Sequence, residues 1–353
     1  MAEYKTIKGF KTQSYATDPV PATAAWSSGG ALNTARSGLG GCGTQTAAIA
    51  AAGQAPANVT ASETYNGTAW TEGNNLNTAR GNPGQVGTTT ASLLYGGREP
   101  TLSTKTELWN GTSWTEKADL NTACRQMGAF GTSTAAFSVS GVPYPLNKVE
   151  SWNGTSWTET TDMNTIRSSL AAAGAAPTSN AVIFGGWDPS GELGVTETWN
   201  GTAWTEVADL NTARLEPGGA GTSSTSALCT NGETPPYTQK TELWNGTSWA
   251  ESADTATAGR SQMAAAGTTT LGLVMGGIIP SLTAATEEFT DYSGTNPAPD
   301  QTMLNQGQVW YNTDGNALKY TALAAGAWAS GGALNTARNE VGNAGASNSD
   351  ALC

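Results

Sequence analysis

A motif with two tryptophans recurs along this chain at nearly constant intervals, and it constrains the fold more than any other feature. One copy reads Thr-Glu-Leu-Trp-Asn-Gly-Thr-Ser-Trp-Thr-Glu and covers residues 106–116. Its Asn110-Gly111 pair is typical of a tight turn with positive φ at both central residues. Because the residues on either side alternate between apolar and polar, each copy predicts a β-hairpin.

The spacing of the motif predicts the architecture. The second tryptophan of each copy falls at intervals of 44, 44, 43, 47 and 45 residues, at Trp26, Trp70, Trp114, Trp157, Trp204 and Trp249. A segment similar to Leu-Asn-Thr-Ala-Arg follows each one, with the arginines Arg36, Arg80, Arg125, Arg167, Arg214 and Arg260. A period in the mid-forties accommodates about four short strands, which is the content of one propeller blade.

The two ends of the repeated region are complementary halves of one motif. The first copy contains Trp26 but lacks the strand that should precede it, and the last copy reaches Phe289 without a second tryptophan in register. We therefore predict an all-β, six-bladed propeller in which the N-terminal strand around Trp26 closes the last blade. A rival interpretation assigns residues 328–353 to a seventh blade or to a neighbouring subunit's ring.

The remaining segments predict a division into four parts. Residues 1–22 form an attachment segment that ends in the extended sequence Asp-Pro-Val-Pro, and residues 23–290 form the propeller. Residues 291–327 comprise a linker and a small C-terminal β-hairpin, which turns at Asp314-Gly315. Residues 328–353 begin with nearly the same amino-acid sequence as the propeller's first strand and the loop that follows it, so we expect the start of a second propeller or a partial blade.

Composition excludes several classes of function. The 353 residues carry a net charge of −12, which disfavours nucleic acid and anionic membranes as partners. No apolar run is long enough to span a bilayer, so we expect no membrane insertion. The chain has no histidine, and its four cysteines form no CxxC pair, so we expect free thiols, no metal site and no cofactor.

The repeat resembles a known family. Gly-Gly, a variable loop, Glu-x-Trp-Asn-x-x-x-x-Trp and Leu-x-x-x-Arg together are similar to the kelch repeat over residues 24–290. The particular wording, Trp-Asn-Gly-Thr-Ser-Trp-Thr-Glu followed by Asp-Leu-Asn-Thr-Ala-Arg, resembles the kelch-like propellers of marine bacteriophage structural and tail proteins. This resemblance implies a virion protein; the spacing and composition indicate only a propeller.

Comparison of the repeats with each other indicates where recognition would occur. With strands named a to d from the central axis outward, the b–c loops differ from blade to blade while the hairpins do not. Loops on a rigid scaffold often carry function, although unconstrained surface is the alternative explanation. The candidate binding residues in these loops are Arg98, Glu99, Tyr144, Trp187, Asp188, Glu192, Glu233 and Tyr237.

The residues that recur in every blade favour structural roles. We expect the arginines to bond backbone carbonyls at the d–a loops, and the glutamates after each second tryptophan to be solvated. The Asn-Gly-Thr-like triplets match the glycosylation sequon, but turn geometry already accounts for them. No residue set stands out as catalytic.

These observations lead to three hypotheses. The preferred one is a non-enzymatic bacteriophage virion protein, a tail fibre, adhesin or appendage, whose propeller recognises a host-surface glycan or protein. The alternative is a purely structural module for virion assembly or capsid decoration. An enzyme is disfavoured because a copper oxidase of this class would need histidine ligands. The expected partners are other virion proteins, the expected location is the virion, and a homo-oligomer is among the expected forms.

Overall fold

The chain forms two compact units. A computed structural model of the protein describes residues 24–143, 147–174 and 179–291 in full, and the backbone of six short strands outside them. One unit is Ala24–Asp291, and the other comprises Met1–Thr23 and Tyr292–Cys353.

The unit Ala24–Asp291 is a six-bladed β-propeller, which confirms the predicted fold class. Each blade is a four-stranded antiparallel sheet. The a strands of successive blades contact one another, and that of blade six contacts that of blade one. In blade one, strands a to d are Gly40–Thr44, Ala47–Ala51, Ser62–Tyr65 and Trp70–Glu72. In blade two they are Gly84–Thr88, Ala91–Tyr95, Thr106–Trp109 and Trp114–Lys117. In blade three they are Gly128–Thr132, Ala135–Val139, Val149–Trp152 and Trp157–Glu159.

Blades four to six follow the same plan. In blade four, strands a to d are Ala171–Ala173, Ala181–Phe184, Thr196–Trp199 and Trp204–Val207. In blade five they are Gly218–Ser223, Ser226–Thr230, Thr241–Trp244 and Trp249–Glu251. In blade six they are Ala264–Gly267, Leu271–Met275, Thr286–Thr290 and Ala25–Ser28. The b strands are almost entirely buried because both faces are covered by neighbouring blades, and they therefore read as continuous apolar runs.

The last blade is closed by the first strand of the propeller, as predicted. Phe289 lies opposite Trp26, and Thr290 lies opposite Ala25. The rings of Trp26 and Phe289 are 5.1 Å apart, and the Trp26 indole donates a hydrogen bond of 3.0 Å to the carbonyl of Ala253 in the d–a loop between blades five and six. Closure thus combines ladder hydrogen bonds with a buried aromatic pair.

The c–d hairpins are present as predicted, but their turns differ from the prediction. The loop between Trp109 and Trp114 has four residues, and only Gly111 has positive φ, at 91°. The Asn110 side chain accepts hydrogen bonds from the backbone N–H groups of Thr112 and Ser113, both at 2.9 Å. Because this side-chain acceptor organises the loop, a two-residue turn with two left-handed residues is not needed. The same two bonds recur at Asn66, Asn153, Asn200 and Asn245.

The recurring arginines are structural, and their main partner was not foreseen. Arg36, for example, is fully buried and donates to the carbonyl of Ala61 and to the carboxylate of Glu63 on strand c, at 2.9 Å. Equivalent buried ion pairs are Arg80–Glu107, Arg167–Glu197, Arg214–Glu242 and Arg260–Glu287. Arg36, Arg80, Arg214 and Arg260 bond backbone carbonyls, as predicted, but these belong to the residues directly before strand c, Ala61, Lys105, Lys240 and Ala285, and not to the d–a loops. Arg214 bonds a d–a loop carbonyl as well, that of Thr212.

Two further sequence interpretations are also resolved. Cys42, Cys124 and Cys229 are free and buried, as expected, and Cys353 lies outside the described residues. The glutamates after each second tryptophan are exposed, as expected, at Glu72, Glu116, Glu159, Glu206 and Glu251.

The second unit contains the predicted C-terminal hairpin. Val309–Asn312 pairs antiparallel with Ala317–Thr321, which pairs in turn with Trp328–Ser330, and Gln13–Tyr15 pairs in parallel with the first of these strands. A separate two-stranded ladder joins Thr6–Ile7 to Phe10–Lys11. The expected Asp314-Gly315 turn and residues 331–353 lie outside the described residues.

Candidate functional site

One face of the propeller is built where two sets of loops meet. In each blade, a d–a loop residue forms an isolated β-bridge with the third residue after strand b, where the variable part of the b–c loop begins. The six bridges are Ser37–Gln54, Gly81–Arg98, Arg125–Val142, Ser168–Trp187, Leu215–Glu233 and Ser261–Ile278. The b–c loops therefore share a face with the d–a loops, as the strand order predicts.

The b–c loops on this face alternate between two designs. In blades two, four and six they form short hairpins, Arg98–Glu99 with Thr101–Leu102, Trp187–Asp188 with Gly191–Glu192, and Ile278–Ile279 with Ser281–Leu282. In blades one, three and five they contain a cis X-Pro bond, at Ala55-Pro56, Val142-Pro143 and Pro235-Pro236. Neither design was anticipated, because ladders of two residues leave too short a pattern in the sequence.

Three of the predicted binding residues occupy equivalent positions. Arg98, Trp187 and Glu233 each begin a b–c loop and pair with the d–a loop of their blade. With their counterparts they form what we call the rim ring: Gln54, Arg98, Val142, Trp187, Glu233 and Ile278. All six side chains differ, although the scaffold beneath them repeats. Arg98 and Trp187 are exposed, and Trp187 exposes 36% of its surface.

The other predicted binding residues extend these loops outward. Glu99 follows Arg98, and Asp188 and Glu192 belong to the same hairpin as Trp187. Hydrogen bonds from Ser190 to the Asp188 carboxylate lower its pKa, so Asp188 is a fixed negative charge. Tyr237 forms a bridge with Glu233 inside one loop. Tyr144 lies outside the described residues.

Inside the rim ring lies a second ring, which we call the collar. It consists of the residue after each d–a bridge residue: Gly38, Asn82, Gln126, Ser169, Glu216 and Gln262. Their φ values lie between 50° and 57°, although only Gly38 is glycine. Five backbone N–H···O bonds of 2.7–3.1 Å join successive members, from Gly38 to Gln262, Asn82 to Gly38, Gln126 to Asn82, Ser169 to Gln126 and Glu216 to Ser169.

The collar surrounds the mouth of the central channel. A cavity of about 160 Å³ is lined by the collar and by the first residues of all six a strands. Below the collar the innermost wall positions are small except for Gln85: Gly41, Gln85, Ala129, Ala172, Gly219 and Ala265. Among the residues that line this cavity, Glu216 alone carries a formal charge.

Glu216 is the chemically distinctive member of the collar. Gln126, two blades away around the ring, donates a hydrogen bond from Nε2 to the Glu216 carboxylate, and the side chains of Gln262 and Ser261 also hydrogen-bond it. Burial raises the pKa of Glu216 in spite of these bonds, and the negative charge of Glu233 acts in the same direction. The mouth thus presents a shielded carboxylate among side-chain amides.

Sequence reasoning missed the collar. The signal was present: the second position after the repeated arginine is polar and variable, directly beside an otherwise constant segment. Over the described residues, the structure contains no group of three or more His, Cys, Asp or Glu side chains placed to hold a metal ion. In the same part of the chain no helix has the length and apolarity to cross a membrane.

Comparisons with known proteins support the fold alone. No protein-family model matches the chain, and no curated protein matches its sequence. Many solved structures share its architecture. One of them, described as "Structure of YjhT", has a TM-score of 0.62 over 73% of this chain and 95% of its own, at 13% sequence identity. At that identity the likeness concerns the propeller and not its activity.

Proposed function

We propose that this chain is a non-enzymatic recognition protein of a bacteriophage virion, a tail fibre, adhesin or appendage, whose loop face binds a host-surface glycan or protein. The observation that carries the proposal is the contrast between a repeated scaffold and six different rim-ring side chains. A scaffold that only filled space would have no need to vary one face while keeping the hairpins nearly constant.

The chemistry of the face fits recognition. It places an exposed indole, Trp187, between charged loops, and aromatic side chains contribute large contact areas at low cost in conformational entropy. Both signs of charge are present on the face: Arg98 and Glu99 lie in the blade-two loop, Arg125 lies in blade three, and Asp188, Glu192 and Glu233 lie in blades four and five. A partner would therefore have to match a mixed pattern of charges.

The assignment to a virion has separate support. It rests on the resemblance of the repeat wording to marine bacteriophage structural and tail proteins. Immunogold labelling of virus particles from the source of the sequence, with antibodies raised against the purified chain, would test it. Labelling at the tail or an appendage supports the proposal, and intact particles without label contradict it.

Recognition is tested by a binding screen against bacterial surface polysaccharides and whole cells. We expect reproducible binding that Trp187→Ala weakens at least tenfold. Leu271→Ala is the matched control, because Leu271 is also an exposed apolar side chain, at 45%, but lies at the a–b turn at the other end of the strands. Equal losses in both variants would contradict recognition through the loop face.

The alternatives correspond to defined outcomes of the same screen. Failure to bind any cell or polysaccharide, combined with labelled particles, would favour the purely structural module for assembly or capsid decoration. Mass spectrometry of each bound polysaccharide after prolonged incubation tests the absence of enzymatic activity. Cleavage or modification of the polysaccharide would overturn the non-enzymatic part of the proposal.

A further inference from the structure

We propose that the channel mouth binds one uncharged pyranose ring, the terminal residue of a glycan, with Glu216 and the collar amides as partners for its hydroxyl groups. This inference rests on the proposed recognition function and deepens it. It places the primary contact at the centre of the face and not on the b–c loops, which would then contact the remainder of the glycan.

The size of the cavity selects a single ring. The channel mouth encloses about 160 Å³. An apolar cavity of about 150 Å³ accommodates one benzene molecule, so the space at the mouth is of the order of one six-membered ring, and the rest of a glycan would extend outward through its open side. Small residues such as Ala129 and Ala172 line the wall below the collar and leave this space unfilled.

The choice of side chains indicates a ligand. Every collar position has φ near 55°, where glycine is the least strained residue, and blade one uses it at Gly38. The other five positions instead carry polar side chains, which is costly for residues such as Gln126 and Glu216. Backbone strain of this kind is found at ligand sites where a particular side chain is needed.

The chemistry of the collar matches hydroxyl groups. Gln126, Gln262 and Asn82 carry amides, which both donate and accept, and Ser169 carries a hydroxyl that does the same. Glu216 adds a strong acceptor that is already held in place by Gln126 and Gln262. A sugar hydroxyl, which is donor and acceptor at once, can satisfy such mixed partners around a closed ring.

Two observations exclude an anionic ligand at the mouth. The one formal charge among the cavity-lining residues is the carboxylate of Glu216. Backbone N–H groups in left-handed turns often form anion sites, but five of the collar N–H groups are already bonded to neighbouring collar carbonyls. An acidic sugar would therefore face the carboxylate of Glu216 without a compensating cation among the residues that line the cavity.

Trp187 extends the site beyond the ring. Its backbone exchanges hydrogen bonds of 2.8 and 3.0 Å with Ser168, the residue that precedes Ser169 of the collar. Trp187 is therefore joined through its backbone to the residue beside the collar, and its exposed indole has a flat apolar face that suits the C–H face of a sugar ring. A polar collar beside an exposed aromatic surface fits a carbohydrate better than a purely polar solute.

The test is titration of the full chain with free monosaccharides, followed by saturation-transfer NMR. The panel contains glucose, galactose, mannose, N-acetylglucosamine and, as the anionic comparison, glucuronic acid. We expect at least one uncharged sugar to bind with a Kd on the order of millimolar, and glucuronic acid to bind at least tenfold more weakly. Preference for glucuronic acid, or no binding by any uncharged sugar, overturns the inference.

Two variants locate the site. Glu216→Gln keeps the shape of the side chain and is expected to weaken binding at least tenfold, while Glu206→Gln, an exposed acid on strand d of blade four, leaves it unchanged. Ala129→Leu fills the channel wall without touching the collar and should also abolish binding. A folded Glu216→Gln or Ala129→Leu variant that binds like the parent overturns the inference.

The outcomes separate this inference from the proposed function. If the polysaccharide binding of the intact chain is lost in Trp187→Ala but survives in both channel variants, recognition stands and the channel mouth is not its site. If the intact chain binds no carbohydrate at all, the variants cannot differ, and both the channel inference and the glycan part of the proposed function fail. A protein receptor is then the remaining partner proposed for the loop face.

Discussion

Blades two and three share a hairpin of nearly identical sequence, yet each lacks one stabilising contact that the other has. In blade two, the guanidinium of Arg80 pairs with the buried Glu107. In blade three, Cys124 stands at the position of the arginine, and Glu150 is buried without such a partner. Its carboxylate instead accepts three hydrogen bonds, from the N–H groups of Asn121 and Thr122 and from the Asn121 amide.

The indoles of the two blades show the opposite difference. Trp157 of blade three donates to the hydroxyl of Thr106 on the preceding blade, at 3.0 Å. Trp114 of blade two has no acceptor within the described residues, because the hydroxyl of Ser62, at the equivalent position in blade one, is placed against the carbonyl of Asn74, to which it donates at 2.8 Å. The invariant element is therefore the carboxylate that holds the incoming d–a loop, while the arginine and the indole bond are dispensable in single blades. Such tolerance is expected where stability is a sum over repeats.

The largest test of this difference replaces the two buried carboxylates. Glu107→Gln leaves the fully buried Arg80 without a counter-charge and should cost about 3–5 kcal/mol. Glu150→Gln orphans no cation, so we expect a smaller loss of about 1–2 kcal/mol from weakened hydrogen bonds. Urea unfolding of both variants measures the difference. Equal losses of stability in the two variants would mean that the buried ion pair between Arg80 and Glu107 makes no difference relative to blade three, where Cys124 replaces the arginine.

The thiol of blade three gives the next effect, at alkaline pH. Burial raises the pKa of Cys124 from its ordinary value of 9.0 to about 12. Above pH 9 the unfolded chain loses this proton while the folded chain keeps it, so stability falls as pH rises, by about 1.4 kcal/mol per unit. Cys124→Ala should remove about 1 kcal/mol of the loss between pH 9 and pH 10, because the unfolded thiol is already half ionised at pH 9. Parallel stability curves for parent and variant in this window would refute the assignment.

Restoring the missing acceptor of blade two should stabilise the ring. Ser62→Thr places a hydroxyl where Thr106 has one, and satisfying the buried Trp114 N–H should add about 1 kcal/mol. The matched variant Thr106→Val removes the acceptor of Trp157 and should cost a similar amount. Thermal unfolding of both gives the comparison. A Ser62→Thr variant that is less stable than the parent would show that the indole is satisfied in another way.

The smallest effect concerns the exposed ion pairs of the two blades. Lys148 and Glu159 in blade three are about half exposed, and Lys105 and Glu116 in blade two are 3.8 Å apart. Lys148→Met should cause only a small loss of stability, and the loss should vanish in high salt. Unfolding at two salt concentrations checks it, and a salt-independent loss would indicate apolar packing by the lysine stem.

The sequence was sufficient for the architecture because the repeat encodes it locally. The period of the repeat correctly predicted six blades of four strands, and the missing half-motif near Phe289 correctly indicated its partner, Trp26. Ring closure could be predicted because the sequence itself shows that the first copy of the motif lacks its first strand and that the last copy lacks its second strand.

Long-range pairing was harder to predict. The interpretation of Arg125 as the repeated arginine of blade three was wrong: the hairpin spacing puts Cys124 at that position, and Arg125 is half-buried in the bridge to Val142. The arginine–glutamate pairs were missed because their members lie on different strands, and periodicity does not show which recurring residues meet. Glu216 was missed for a related reason, since only the closed ring brings Gln126 and Gln262 to it.

The pairing of the Trp26 strand with the Phe289 strand, which closes the ring, has a consequence for biosynthesis. The strand that is synthesised first among those of the ring pairs with the strand that is synthesised last, so it has no partner until the whole ring has been made. Until then both borders of the nascent sheet array stay open and able to recruit foreign strands. A messenger RNA truncated before the codon for Phe289 would therefore yield a propeller with unpaired sheet edges that associates with other chains. The topology itself thus distinguishes complete rings from incomplete ones.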